Sequence, residues 1–168
     1  LDADEQGKTF LRMKTKNSRA AGRAKTAWSK ILVPIDFSAP SVAALHYARE
    51  LAAGRGATLI VLHVVDPFHP DWRMDTGTLQ RAAHDQARHR LRELLARELP
   101  DTRTVPELRE GHPVEEITAV AQKSGADLIV IATHGRSGLR HVLIGSVTER
   151  VVRHAPCAVL VLRGTAKK

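Results

Sequence analysis

From residue 30 onward, runs of consecutive aliphatic residues alternate with stretches in which apolar positions return every three or four residues. The run at 30–35 (KILVPI) is apolar almost throughout, as a parallel strand covered on both faces requires. Ser38 then stands where an N-cap belongs, with Pro40 in the first turn. Val42, Leu45, Ala48, Leu51 and Ala52 recur at helical spacing until Gly54 and Gly56 stop the helix. Residues 57–65 (ATLIVLHVV) form a second buried strand, and Pro67, Pro70 and Gly77 mark a loop. A long amphipathic stripe follows, built on Leu79, Ala82, Ala83, Ala87, Leu91, Leu94, Leu95 and Leu99 and closed by Pro100.

Residues 102–109 (TRTVPELR) make a weaker strand, which Pro106 assigns to a sheet edge. Gly111, His112 and Pro113 open the next helix, with Val114, Ile117, Val120 and Ala121 on one face and Gly125 at its end. Residues 127–133 (DLIVIAT) carry the strongest strand pattern. A glycine-bearing loop, a helix over 147–154 and a last strand at 157–162 (CAVLVL) complete the chain. Strands and helices alternate throughout. The pattern predicts an α/β fold, an open, doubly wound, mainly parallel five-stranded sheet with helices on both faces. Right-handed crossovers leave few ways to arrange it.

Composition narrows the picture. Aromatics make up only 4% of the 168 residues, so the core is aliphatic. The lone cysteine, Cys157, excludes a disulfide framework and points to a reducing, cytoplasmic setting. It begins a predicted buried strand and reads as a core residue rather than a nucleophile. No apolar run approaches the ~20 residues of a membrane span.

The net charge of +8 is unevenly placed. Residues 1–30 hold eight basic and three acidic side chains, while the other 138 hold 18 and 15. The first segment uses five Lys and three Arg, whereas 31–166 uses fifteen Arg and one Lys, Lys123. Two compositions imply a boundary near Ser29 and Lys30, with a basic, disordered tail over 1–29 and one α/β domain over 30–168. The basic excess belongs mainly to the tail, so nucleic-acid binding by the folded body is not expected. Beyond a solvated extension, the tail admits an import-type targeting segment or a polyanion-binding arm. It contains no apolar h-region, which argues against secretion, and Met13 is a candidate first residue.

In a doubly wound sheet, ligands bind beyond the carboxyl ends of the strands, where the winding reverses. Strand ends therefore nominate Pro34, Asp36 and Ser38 after the first strand, and His63, Val64 and Asp66 after the second. The fourth strand runs into Thr133-His134-Gly135-Arg136-Ser137-Gly138 and, nine residues after Gly135, into Gly145-Ser146. Two glycine corners, the second opening a helix, suit a phosphate: glycine lets the backbone approach, and free amides at a helix start point at the anion. Ser146 adds a hydroxyl, and Arg136 or Arg140 a charge. Asp36 equally well braces the first helix. His134 and His141 lack a second pair at ligand spacing, so no metal site is expected, and His84 and His89 read as solvated. G-x-x-x-x-G-K-[ST], G-x-G-x-x-G and G-x-S-x-G are all absent, which disfavours a P-loop NTPase, a dinucleotide fold and an α/β-hydrolase. No catalytic constellation can be nominated.

The stretch 31–38 (ILVPIDFS) and the more specific stretch 131–163 (IATHGRSGLRHVLIGSVTERVVRHAPCAVLVLR) resemble the universal stress protein family. The resemblance covers about residues 30–163 and implies the strand order 3-2-1-4-5 of adenine nucleotide alpha hydrolase-like folds. Its ATP-binding class carries G-x2-G-x9-G-[ST]. Here the positions are Ala132, Gly135, Gly145 and Ser146, so the first glycine is replaced. Carried over, Pro34, Asp36 and Val64 line the adenine and ribose pocket, Ala132 and Gly135 continue the wall, and Gly145, Ser146 and Val147 hold the phosphates. Ser38, Arg136 and Gly138 are lesser candidates.

The resemblance further implies ATP with Mg²⁺ held through its phosphates, a stress-response or regulatory role, and at most slow ATP hydrolysis or autophosphorylation. It also implies a homodimer through the last strand, with Val159 and Val161 at the contact. Alanine at 132 adds strain of about 1 kcal/mol or more if the position needs a positive φ, and fits freely if the strand is simply extended. The alternative that Ala132 leaves open is a dimeric interaction module of the same fold that binds no nucleotide.

Overall fold

A computed structural model describes residues 28–66, 76–133 and 145–163. The described residues form β1 (Lys30–Pro34), α1 (Ala39–Ala53), β2 (Thr58–Val65), α2 (Thr76–Glu98), β3 (Thr104–Glu110), α3 (Pro113–Ser124), β4 (Leu128–Ala132), α4 (Ser146–His154) and β5 (Ala158–Leu162). All neighbouring strands pair in parallel, in the order β3-β2-β1-β4-β5. Ile31 sits opposite Leu59 on one side and Leu128 on the other. Pro106 lies on the edge strand β3, where a missing amide disturbs the ladder least.

Strand alternation sorts the side chains into two cores. Ile31, Val33, Leu59, Val61, Leu128 and Val130 pack with Ala44, Leu45 and Ala48 of α1 and Leu91, Leu94 and Leu95 of α2. Leu32, Ile60, Leu62, Ile129 and Ile131 turn the other way, against Val114, Ile117, Val120 and Ala121 of α3 and Val151 of α4. Helices α1 and α2 therefore cover one face, and α3 and α4 the other. The winding reverses between β1 and β4, as right-handed crossovers require of this order.

One expectation fails in α2. The predicted apolar stripe begins at Leu79, yet Leu79 is 40% exposed, and Ala82 and Ala83 are exposed too. Burial begins at Ala87. At 1.5 Å per residue, this 23-residue helix is about 35 Å long, whereas the eight residues of β2 span about 27 Å. Its first turns overhang the sheet.

The amino-terminal ends of the strands are closed by polar pairs. Asp127 accepts from the Ser29 amide (2.9 Å), the Ser29 hydroxyl (2.7 Å) and the Lys30 amide (3.0 Å), and Lys30 Nζ donates to the Ser124 carbonyl at 2.7 Å. Trp28 packs on the α1-side core beneath the Arg55 guanidinium, 5.4 Å from the ring centre. Trp28 and Ser29 thus make contacts with the body of the domain. Of the expected tail, residues 1–27 lie outside the described residues. No helix among the described residues is long and apolar enough to cross a membrane.

Candidate functional site

A cleft of about 340 Å³ opens at the carboxyl ends of β1, β2 and β4. That volume lies in the usual range for small-molecule sites, and the position is the reversal point of the sheet. Alternation decides which side chains reach it. Pro34 and Asp36 continue the Leu32 side of the first strand, Val64 continues the Leu62 side of β2, and Thr133 follows Ile131 of β4. Pro113 and Ile117 of α3 close one wall, while Gly145, Ser146, Val147 and Thr148 bring in the start of α4.

The β1–α1 corner is built around Asp36. Its Oδ1 accepts from the Ser38 amide at 3.0 Å and the Ser38 hydroxyl at 2.5 Å. The Ser38 hydroxyl also caps α1 by accepting from the Ser41 amide at 3.4 Å. Buried Ser41 donates its own hydroxyl to the Ser38 carbonyl at 2.9 Å and accepts from the Asp36 amide at 3.3 Å. Between Asp36 and Ser38, Phe37 holds a φ of 64°, a left-handed conformation that costs a side-chain-bearing residue about 1–2 kcal/mol. Its ring packs on the α1-side core.

The opposite wall has a different character. Gly145 is the N-cap of α4 and offers no side chain to close it. Its amide donates to the Thr133 carbonyl at 2.7 Å, and its carbonyl takes the Glu149 amide at 2.9 Å as the helix begins. The amides of Ser146, Val147 and Thr148 precede any intrahelical acceptor and lie at the cleft. The Thr148 hydroxyl donates to the Ala132 carbonyl at 2.8 Å, fastening the helix start to the end of β4. Asp36 and Asp66 line the cleft, and no Lys or Arg does among the described residues. Positive potential on this wall therefore comes from the helix start itself, which favours an anion there.

The structure brings together Pro34, Asp36, Val64, Ala132, Gly145, Ser146 and Val147. Ser38 is not among the lining residues, because its hydroxyl serves Asp36 and the α1 cap. Gly135, Arg136 and Gly138 lie outside the described residues, as do His134, Arg140 and His141. Ala132 ends the extended β4, and Phe37 is the one non-glycine residue with positive φ among those described. The strain alternative at Ala132 is therefore excluded. Its methyl is buried in the α1-side core, on the face away from Ile131 and the α3 wall.

Sequence reasoning missed Ser41, Pro113, Ile117 and Thr148. The first turns of α3 and α4 were the available signal, since both helices start at the same end of the sheet as the cleft. Among the described residues, no group of three His, Cys, Asp or Glu could hold a metal ion.

Cys157 precedes β5, at the end of that strand remote from the cleft. It is partly buried, and burial, then the charge of Asp127, push its thiol above the ordinary range. Such a thiol is a poor nucleophile near neutral pH.

Comparison with known proteins agrees with this architecture. The model of the universal stress protein family matches residues 27–163. Universal stress protein MJ0531 of Methanocaldococcus jannaschii is 32% identical over 148 residues, covering 84% of this chain and 85% of that one. The solved structure of MJ0577, from the same organism, superposes with a TM-score of 0.74 at 29% identity, covering 83% of this chain and 98% of the other. A universal stress protein in complex with cAMP superposes at 0.65 with 27% identity, covering 84% and 100%. Sequence, fold and strand order converge, and the chain belongs to the universal stress protein family.

Proposed function

We propose that the cleft binds ATP and that the protein is a nucleotide-dependent stress-response or regulatory protein of the cytoplasm. The observation that supports this reading most directly is the uncapped start of α4, which presents three amides to the reversal cleft. Pro34, Asp36 and Val64 take the adenine and ribose, with Ala132 and Gly135 continuing the wall. Gly145, Ser146 and Val147 hold the phosphates, which carry Mg²⁺. Arg136 and Gly138 are proposed for the phosphate end on the motif alone, while Ser38 acts at one remove by holding Asp36. The apolar wall of Val64, Ile117 and Ile131 suits a planar base, and the acidic corner suits sugar hydroxyls or the exocyclic amine of adenine, which donate. The solved relative in complex with cAMP supports an adenine nucleotide as the ligand class.

Native mass spectrometry of the purified protein should show a bound adenine nucleotide. Saturating ATP with Mg²⁺ at 100 times its Kd should stabilise the fold by ~2.7 kcal/mol and raise Tm by roughly 6–10 °C. An unchanged melting curve supports the interaction module without nucleotide instead.

The same reading makes the protein a homodimer through β5. Among the described residues this strand pairs only with β4 and leaves Val159 and Val161 partly exposed, and α4 exposes Val152 to 49%. An open aliphatic edge of this kind favours a second copy. Sedimentation should give a dimer for the native chain and a monomer for Val161→Lys.

A further inference from the structure

We propose that Phe37 and Arg90 are positioning residues for the nucleotide, holding the β1–α1 corner so that Asp36 faces the cleft. The inference rests on the nucleotide reading of that cleft and adds to it two residues that do not line it.

The geometry is one of flanking anchors. Residues on both sides of Asp36 are tied to His63 on the α1/α2 face of the sheet. His63 Nδ1 donates to the Ile35 carbonyl at 2.8 Å, and its ring lies 4.4 Å from the Phe37 ring at an interplanar angle of 51°. From α2, the Arg90 guanidinium covers the same Phe37 ring, with Cζ 4.4 Å from its centre. Phe37 is thus gripped between His63 and Arg90 while its backbone sits at a φ of 64°.

An aromatic residue has no local reason to adopt that φ, and such strain persists only where the surroundings over-determine it. Here the left-handed step brings the amide and hydroxyl of Ser38 back onto Asp36 Oδ1. If Phe37 relaxes to a negative φ, Ser38 swings away and the carboxylate loses its fixed direction. The grip on Phe37 and the aim of Asp36 are one device. Through Arg90, the outer helix α2 takes part in ligand recognition without touching the ligand.

The test is calorimetric titration of ATP with Mg²⁺ into the native chain and into Arg90→Gln, Arg90→Lys and Phe37→Leu, with melting curves taken without nucleotide. Arg90→Gln should weaken ATP about fivefold, the affinity equivalent of an exposed cation–π contact. Arg90→Lys should recover most of that loss, because an ammonium also binds the ring face. Phe37→Leu should weaken ATP at least as much. In an Asp36→Asn background, Arg90→Gln should cost nothing further, since its effect runs through Asp36.

Unchanged affinity for Arg90→Gln in a chain that binds ATP overturns the proposal. So does an equal loss in the Asp36→Asn background, which instead indicates direct attraction between Arg90 and the phosphates. If Phe37→Leu does not fold, the surface residue Arg90 decides the matter alone. Failure of the native chain to bind ATP overturns the cleft reading and this inference together, and the first titration identifies that case.

Discussion

Helices α1 and α4 both begin at the cleft end of the sheet, and their beginnings are built on opposite plans. The start of α1 is closed: Ser38 caps it, Pro40 stands in its first turn, and Ser41 is buried beneath. The start of α4 carries a glycine N-cap with no side-chain hydrogen bond. Side-chain capping is worth about 1 kcal/mol to a helix, and α4 forgoes it. Two helices on opposite faces of the sheet thus divide two tasks. The closed start supports the domain and fixes Asp36, whereas the open start, on the proposed reading, keeps its amides for an anion.

Blocking the open start should have the largest effect. Gly145→Val fills the approach to the Ser146, Val147 and Thr148 amides, while a φ of −67° and ψ of 151° suit any residue. Affinity for ATP should fall at least about 100-fold, or ~2.7 kcal/mol, with the melting curve of the free protein nearly unchanged. Retained affinity would show that the phosphates lie elsewhere.

Opening the closed start comes next. Ser38→Ala removes the cap and one donor to Asp36, and should lower stability by about 1–2 kcal/mol in urea titrations. Converting the open start into a closed one should give effects of opposite sign. Gly145→Asp supplies a capping carboxylate, so the free protein should gain about 0.5–1 kcal/mol. Its ATP affinity should nevertheless drop, because that carboxylate occupies the amides and repels phosphate. A variant that gains both stability and affinity would erase the contrast between the two helices.

The smallest effect concerns the fastening of α1 along its length. His46 Nε2 meets Glu98 at 2.7 Å, and Arg49 donates to the Glu98 carbonyl at 2.9 Å. The neighbouring Arg97 and then His46 hold the Glu98 carboxyl below its usual value. A carboxyl lowered in the folded state adds stability above its unfolded pKa of 4.5, and that stability disappears as pH falls through the folded value. Glu98→Gln should therefore melt slightly below the native chain at pH 7, and the difference should vanish in acid. A gap that widens on acidification would contradict the assignment.

Local chemistry was legible in the chain, and tertiary placement was less so. Ser38 and Pro40 mark the start of α1 because a cap acts within four residues, and Gly125 marks the end of α3 through its left-handed φ of 64°. The aliphatic runs identify the strands because only a doubly covered sheet leaves so few polar positions. Periodicity reports which face of a helix is apolar but not whether a sheet lies under it, which is why Leu79 falls on the apolar stripe and is nevertheless exposed. Pro113 and Ile117 reach the cleft across a crossover, and the spacing of residues along the chain does not carry that information. The grip on Phe37 is equally hidden, since His63 and Arg90 lie 26 and 53 positions away. Ala132 was ambiguous for a related reason: its motif suggested glycine, and only the extended end of β4 shows that a methyl is accommodated.

The two borders of the sheet differ in what they offer to another strand. Strand β3 presents Pro106, exposed Glu110 and a paired Glu107 and Arg109, all poor templates for another strand. Strand β5 is aliphatic from end to end. On the proposed dimer reading, a molecule with one border that invites a strand and one that resists it joins a single copy of itself through β5. Association confined to that one border would close at two, because a two-fold contact uses the β5 edge of both copies.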